Sequence, residues 1–496
     1  MFILDVLHKV NTFAEKSGIK IYVVGGFIRD LLLERSTNDI DFVVMGNSIN
    51  FAKKLANKLK ASFFLLNEKH SAARIIYKSK NADFQLDFSP CRGKKITDDL
   101  AKRDFTINAI AIPLKSICHS DYATIDFLSF PQLFSGNPGS LSYQLNLIDP
   151  YSGVEDLKRH YIRVVNPQAF NDDALRMIRA VRIAGELNFT ISKKTETLIK
   201  KQCSLIADIS QERIRDELFR ILILENSNLY IQKLDKLKLL DKVIPGIKSM
   251  KGVEQPGYHH LDVWGHSLET VDFLDNILKE IEKIDSMWLI KIEKHLSVEP
   301  VKGRTRYTLL KFAGLLHDIG KPETKTYKDG KTKFVGHEKL GAEKIKVIAK
   351  NLKLSLKEQK ILSKIVHEHL RIGFLSDSKY ITKRAIYKFF RDTKDEAIDV
   401  CLLALADRLA TRGEKSDLSS MHRHFEIIAQ LIDSYYSEKE IVKPAKIISG
   451  NDIMKKFKLI SGPLIGKLLE TVTQAQAEGK VKTKTEALQY LKHFVK

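Results

Sequence analysis

Val23-Val24-Gly25-Gly26-Phe27-Ile28-Arg29-Asp30, followed by Asn38-Asp39-Ile40-Asp41-Phe42-Val43-Val44, is the stretch on which the reading of this chain turns. Phe42 to Met45 is apolar and rich in β-branched residues, so Asp39 to Met45 is expected to be a strand. Side chains two apart on a strand point the same way, which places Asp39 and Asp41 on one face, about 7 Å apart along the backbone. Two acids converging there repel unless a cation lies between them, and hard oxygen ligands of this kind suit Mg²⁺. Gly25-Gly26 falls between an expected strand, Lys20 to Val24, and an expected helix, Phe27 to Leu33. The bare backbone and the helix N-terminus can receive phosphate oxygens, with Arg29 one turn in as a charge partner. An acid pair of this type beside a phosphate-receiving turn implies nucleotidyl or phosphoryl transfer.

Composition narrows the partners. The 496 residues suffice for roughly three domains. Lys and Arg number 82 against 61 Asp and Glu, a net charge of +21 with a pI near 9.5, which suits a polyanion: nucleic acid or an anionic membrane surface. The sequence has no run of 18 apolar residues, and Met1-Phe2-Ile3-Leu4-Asp5 lacks the features of a signal peptide, so nucleic acid is favoured over membrane. Cys91, Cys118, Cys203 and Cys401 have no paired spacing and read as reduced, mostly buried thiols of a cytoplasmic protein.

Residues 1 to about 163 alternate strand-like and helix-like segments, including Ile75 to Tyr77, Phe84 to Phe88, and Ile107 to Ile112, which reads as strand or helix. From Pro167 the hydrophobic period becomes 3.6 and stays so. The fold class is therefore α+β and multidomain. Segments 1–163, 164–245, 246–440 and 441–496 are separated by Pro150 to Gly153 with Asn166-Pro167, by Pro245-Gly246 and Pro256-Gly257, and near Lys443-Pro444. Ser129 to Tyr143 reads as an inserted loop.

Gly-Gly-x-x-Arg-Asp followed by Asp-x-Asp resembles the head of the DNA polymerase beta superfamily. More narrowly it resembles the bacterial class II tRNA nucleotidyltransferases (CCA-adding enzymes) and their poly(A) polymerase relatives. The resemblance implies a mixed-sheet head with flanking helices, then an all-α neck, an HD domain and a tail. It also implies a third acid on an adjacent strand. Asp87 in Phe84 to Phe88 fits that context, or is a surface residue. Asp99-Leu100-Ala101-Lys102-Arg103-Asp104-Phe105-Thr106-Ile107-Asn108-Ala109 is similar to the family's Arg-Arg-Asp-Phe-Thr-x-Asn-Ala block, with Lys102 in place of one arginine. By that resemblance Arg103 faces a triphosphate, while Asp104 and Asn108 hold the site or the ribose.

Asn171-Asp172-Asp173-Ala174-Leu175-Arg176 resembles the family's Glu-Asp-x-x-Arg, with Asp172 in place of Glu. On a helix Asp173 and Arg176 would lie side by side. A carboxylate accepts from an exocyclic amino group and a guanidinium donates to the neighbouring acceptor, a pattern that cytosine and adenine share. The pair would then choose CTP and ATP without a template, or be a salt-bridged helix surface. Arg179 and Arg182 continue the face and could take phosphates. Glu212-Arg213-Ile214 with Glu217-Leu218 reads as a brace between neck helices.

In the C-terminal half, His266, His317-Asp318 and Asp407 resemble the HD metal-dependent phosphohydrolases, and His337 and His369 stand where many HD proteins place further ligands. Imidazole and carboxylate donors suit Ni²⁺, Mn²⁺ or Co²⁺. The resemblance implies phosphomonoesters or 2′,3′-cyclic phosphates at RNA ends as targets. The tail from Ile448 reads as an RNA grip or a helical packing module.

The resemblance as a whole implies an enzyme adding CMP, AMP or both to tRNA 3′ ends, with tRNA, ATP and CTP as partners. A poly(A) polymerase and an RNA-binding HD phosphohydrolase are the alternatives. Only fifteen residues, Phe88 to Lys102, separate Asp87 from Arg103, and that short connection raises a partial enzyme adding only CC or only A.

Overall fold

The computed structural model describes residues 2–68, 71–79, 82–118, 146–255, 257, 259–284, 286–328, 330–376, 380–413 and 417–495. The expected loop Ser129 to Tyr143 lies outside them. The chain forms two compact units, 1–209 and 210–496.

The first unit is built on a six-stranded mixed sheet of β1 (Ile21–Val24), β2 (Asp39–Val44), β3 (Ser62–Asn67), β4 (Ala72–Lys78), β5 (Asp83–Pro90) and β6 (Ala111–Pro113), in the order β3-β4-β5-β2-β1-β6. β2 and β5 run parallel, while the other neighbours are antiparallel. Alternation decides which face is buried. Ile40 and Phe42 on β2, with Phe84, Leu86 and Phe88 on β5, are buried, and Phe42 stacks on Phe88 at 4.9 Å. Helix Ser48–Leu59 covers that face with Phe51, Ala52, Leu55 and Ala56. The opposite face carries Asp39 and Asp41. Beyond them Val24, Val43 and Ala111 are covered by Ile96, Leu100 and Ala109. This apolar patch presses the segment from Ile96 to Ala109 onto the sheet, which brings Arg103 and Asn108 beside the acids. The ambiguous run Ile107 to Ile112 resolves into a 3₁₀ turn, Thr106–Asn108, and the start of β6.

The first unit continues with helices Ala169–Asp172, Arg176–Leu187 and Lys193–Gln202, and a two-residue parallel pairing of Tyr161–Ile162 with Thr190–Ile191. The all-helical expectation from Pro167 missed that pairing, because two paired residues leave no period to read.

The second unit is mostly helical. Helix Arg306–Leu316 is its axis: Thr308 to Leu316 are all buried, so it has no solvent face. A Cβ at Gly314 would come 2.4 Å from Leu274, so only glycine lets helix Val263–Asp275 approach so closely. Around the axis pack His337–Asn351, Leu356–Glu368 and Ala397–Leu409, and Leu418–Ser437 packs on the last of these. The last three helices, Gly450–Phe457, Pro463–Ala477 and Lys484–Leu491, enclose a cluster of their own containing Ile453, Leu468, Val472 and Leu491. No helix of the described residues is long and apolar enough to cross a membrane. All four cysteines are free.

Candidate functional site

β2 pairs with β5 so that Asp41 lies directly opposite Asp87. Asp39, Asp41 and Asp87 therefore share one face, and the third acid stands where a metal-binding set needs it. Asp87 is oriented by Arg74 of β4, its antiparallel partner, through two bonds of 2.7 and 2.8 Å. The sequence reading missed Arg74. Its only signal is that pairing across β4 and β5, which no local motif carries. Burial first, then the charges of Asp87 and Asp39, push the Asp41 carboxyl up to about 6, against the pull of Arg103 and Arg29. Like charges gathered in a desolvated place hold protons until a cation replaces them, so the donor set fits a divalent ion.

Gly25, at φ +76°, shows how tightly the turn is built: a Cβ there would come 2.8 Å from an Arg103 guanidinium nitrogen and 3.1 Å from Asp41 Oδ2. Gly26 opens helix Gly26–Leu32, and Arg29 one turn in donates to both oxygens of Asp30 at 2.9 Å and to Asn108 Oδ1 at 2.9 Å. Asn108 donates to Asp104 at 3.1 Å, and Arg179 reaches the other Asp104 oxygen at 3.3 Å. Burial alone would raise the Asp104 carboxyl. The Arg179 charge and the bonds from Asn108 and the Phe105 amide outweigh it and hold Asp104 below the usual carboxylate range.

Arg103 is set by Asp99, a fully buried carboxylate that accepts from Arg103 Nε at 3.2 Å and from Arg92 Nε at 2.7 Å. Arg92 also donates to the Lys102 carbonyl at 3.2 Å, and Lys102 Nζ returns a bond to the Arg92 carbonyl at 2.7 Å. The short connection is thus tied across itself.

Two expectations about the neck helix are corrected. Asp173 and Arg176 do not share a helix: Asp173 is extended, at φ −157°, between Ala169–Asp172 and Arg176–Leu187. Its carboxylate accepts from the Leu175 amide at 3.2 Å, a local bond that competes with the helix. Arg176 donates to the carbonyls of Lys102 at 2.9 Å, Ala169 at 3.2 Å and Arg103 at 3.4 Å. Arg182 is buried and bonded to both oxygens of Glu186 at 2.6 Å, so it is a packing pair and not a phosphate-facing charge.

In the second unit the HD residues converge. His266, His317 and Asp407 form one group, Asp318, His337 and His369 another, with the donor atoms of each group within 4.8 Å of one another. His317, His337 and His369 each give an Nδ1 proton to a carbonyl three residues back, those of Gly314, Phe334 and Val366 at 2.8, 2.6 and 2.6 Å. That bond fixes the tautomer and leaves Nε2 with a lone pair facing the centre. All three Nε2 atoms are buried without a hydrogen-bond partner. Each such atom costs about 1–3 kcal/mol, which a cation would offset, so the site fits divalent metal. Asp318 faces both groups, with one oxygen 3.2 Å from His317 and the other 3.3 Å from His337. Burial above all pushes His369 down to about 3, so its imidazole is neutral and ready to ligate.

A cavity of about 340 Å³ opens in front of both groups, lined among others by Lys321, Arg408 and His424. Lys321 Nζ lies 2.6 Å from Asp318 and 2.6 Å from Gln255. His259 packs its ring 4.6 Å from that of His266 and is pushed down to about 3, chiefly by burial. His259 and His424 were not foreseen: neither has a spacing signal, and both arrive from elements outside the motif.

Comparison with known proteins finds likenesses along most of the chain. Residues 21–128 match the poly(A) polymerase head domain, 188–251 the probable RNA- and SrmB-binding site of polymerase A, and 263–412 the HD domain. The CC-adding tRNA nucleotidyltransferase of Thermus thermophilus is 27% identical over 95% of this chain and 93% of its own length. The A-adding tRNA nucleotidyltransferase of Deinococcus radiodurans is 29% identical over 95% of each. A solved CCA-adding enzyme in its apo form shares the fold, with a TM-score of 0.64 at 22% identity over 99% of this chain and 94% of that one. With three family segments in order along the chain and relatives aligned nearly end to end, the chain carries the domain set of the tRNA nucleotidyltransferases and poly(A) polymerases, in the form that includes an HD domain.

Proposed function

We propose that this protein is a template-independent nucleotidyltransferase that adds CMP, AMP or both, from CTP and ATP, to tRNA 3′ ends in the cytoplasm. The observation that carries this reading is the register of Asp41 against Asp87, with Gly25 and Arg103 packed against Asp41. Asp39, Asp41 and Asp87 hold Mg²⁺, which when bound supplies the charge that activates the RNA hydroxyl and steadies pyrophosphate. Gly25 and Gly26 give the triphosphate a bare backbone to lie against. Arg29 and Arg103 meet its charge from two sides, and Asn108 and Asp104 fix Arg29 and Arg179. Asp173 and Arg176 read the base at the mouth of the neck, where Arg176 exchanges backbone carbonyls for the acceptors of the base. Segments 1–163, 164–245, 246–440 and 441–496 divide the labour as head, neck, HD domain and tail, the tail gripping the tRNA body.

In the second unit, His266, His317, Asp318, His337, His369 and Asp407 would hold Ni²⁺, Mn²⁺ or Co²⁺, which when bound would supply Lewis-acid chemistry for hydrolysis of phosphomonoesters or 2′,3′-cyclic phosphates at RNA ends. Lys321 holds Asp318 in place, and Arg408 offers charge to the phosphate.

A second reading, a partial enzyme adding only CC or only A, is favoured by the ties among Arg92, Asp99 and Lys102, which leave the connection after β5 little length to reshape the base site. Incubation of the protein with tRNA lacking its end, with tRNA ending in C-C and with an unrelated RNA, each with CTP, ATP or both, separates the cases. Addition of long A tracts to the unrelated RNA would instead make the protein a poly(A) polymerase.

A further inference from the structure

Between the helix leading to His317-Asp318 and the helix opening at His337, the chain runs out into a hairpin, Thr326–Lys328 paired antiparallel with Lys331–Lys333. None of the strand residues is buried. A two-stranded hairpin without a packed face is marginal by itself. This one is anchored at its root, where Lys321 Nζ lies 5.6 Å from the centre of the Phe334 ring and 2.6 Å from Asp318, and the Phe334 carbonyl accepts from His337. The hairpin therefore stands directly on residues of the metal centre.

Its sequence, Lys325 to Lys333, has four lysines and one acid, Asp329. The register sets Lys328 directly opposite Lys331, and Lys333, two residues on, points the same way. Like charges directly opposed destabilise a sheet, so this pairing weakens the hairpin until an anion lies across it. The cavity, of about 340 Å³, has room for roughly one mononucleotide, and the Lys321 that lines it also meets the hairpin's root at Phe334. A repeating anion is what a lysine face rooted beside that cavity can follow.

We propose that this hairpin is an RNA-binding element of the HD site: its lysine face holds the phosphates of the single strand that precedes the terminal phosphate. The proposal rests on the phosphohydrolase reading above, and it predicts that an RNA end is recognised beyond its last nucleotide.

The test uses the full chain loaded with Mn²⁺, with 2′,3′-cyclic AMP and an oligoribonucleotide ending in a 2′,3′-cyclic phosphate as substrates. Lys328→Glu combined with Lys331→Glu should raise KM for the oligonucleotide about tenfold and lower its salt slope by about 1.4, two phosphate contacts' worth. It should leave KM for cyclic AMP and both kcat values unchanged, while Lys328→Arg with Lys331→Arg keeps wild-type behaviour. An unchanged oligonucleotide KM in the glutamate variant overturns the proposal. Photocrosslinking of an oligonucleotide carrying 4-thiouridine next to its 3′-phosphate, followed by peptide mapping, gives a reading that needs no hydrolysis. A crosslink in 325–333 supports the hairpin even if neither substrate is cleaved, in which case the phosphohydrolase reading alone fails. No crosslink there overturns the hairpin.

Discussion

Gly25 occupies a place where a methyl group does not fit, between the Arg103 guanidinium and Asp41, with a left-handed φ as well. Gly25→Ala should therefore cut kcat/KM for nucleotide addition at least tenfold while leaving metal-dependent hydrolysis unchanged, a comparison that two assays on one preparation make directly. Asp41 carries a second prediction. Its carboxyl titrates near 6 in the folded metal-free protein, chiefly through burial. Protonated Asp41 is no ligand, so Mg²⁺ affinity should be flat above about pH 6 and fall about tenfold per unit below it. The same raised value means that the folded state keeps a proton the unfolded chain has released. That contribution to metal-free stability is full below the ordinary carboxylate range and lost as pH rises through about 6. Asp41→Asn should flatten both profiles, as magnesium titrations and melting curves from about pH 4 to pH 8 would reveal. Tighter Mg²⁺ binding in acid would remove Asp41 from the ligand set.

At the scale of elements, the segment between β5 and the neck helix works as one piece. Asp99 aims Arg103, Arg92 ties Asp99 to the Lys102 carbonyl, and Arg176 holds the carbonyls of Lys102 and Arg103. Arg176→Ala should then do two things at once: cost roughly 1–3 kcal/mol of discrimination against UTP and GTP, and lower kcat with CTP and ATP because Arg103 loses a support. Arg92→Ala should lower kcat without changing base choice. Single-nucleotide incorporation with each of the four triphosphates distinguishes the two, and an unchanged preference in Arg176→Ala would leave it a purely structural clamp. What the sequence disclosed here follows from range. Asp39 and Asp41 were legible because a strand's alternation is local, and Gly25 because a turn is local. Arg74 was hidden because its partner is chosen by sheet pairing. Asp173 was misplaced because one side-chain bond to the Leu175 amide outcompeted the helix, and Arg182 because a helical face does not announce which of its charges will be buried against Glu186. In the second unit His337 and His369 were legible by resemblance, whereas His259 and His424 needed the packing of elements far apart in the chain.

For the molecule as a whole, charge and the independence of the two sites are what can be tested. A net charge of +21 should make RNA binding fall steeply with salt, with log K linear in log salt at about 0.7 per phosphate contact on single strands. A flat plot would count against a phosphate-tracking surface. The acid set and the histidine set draw on different compact units. His317→Ala with Asp318→Ala should accordingly lose bound transition metal, read by elemental analysis, and all hydrolysis, yet retain most nucleotide addition. The tied connection after β5 has a last consequence, one that concerns product length. A site whose walls cannot be re-spaced between rounds accepts one register of primer end and refuses the next. Extension should then halt abruptly, and a labelled primer on a denaturing gel should collapse into one terminal band, with no ladder above it however long the reaction runs.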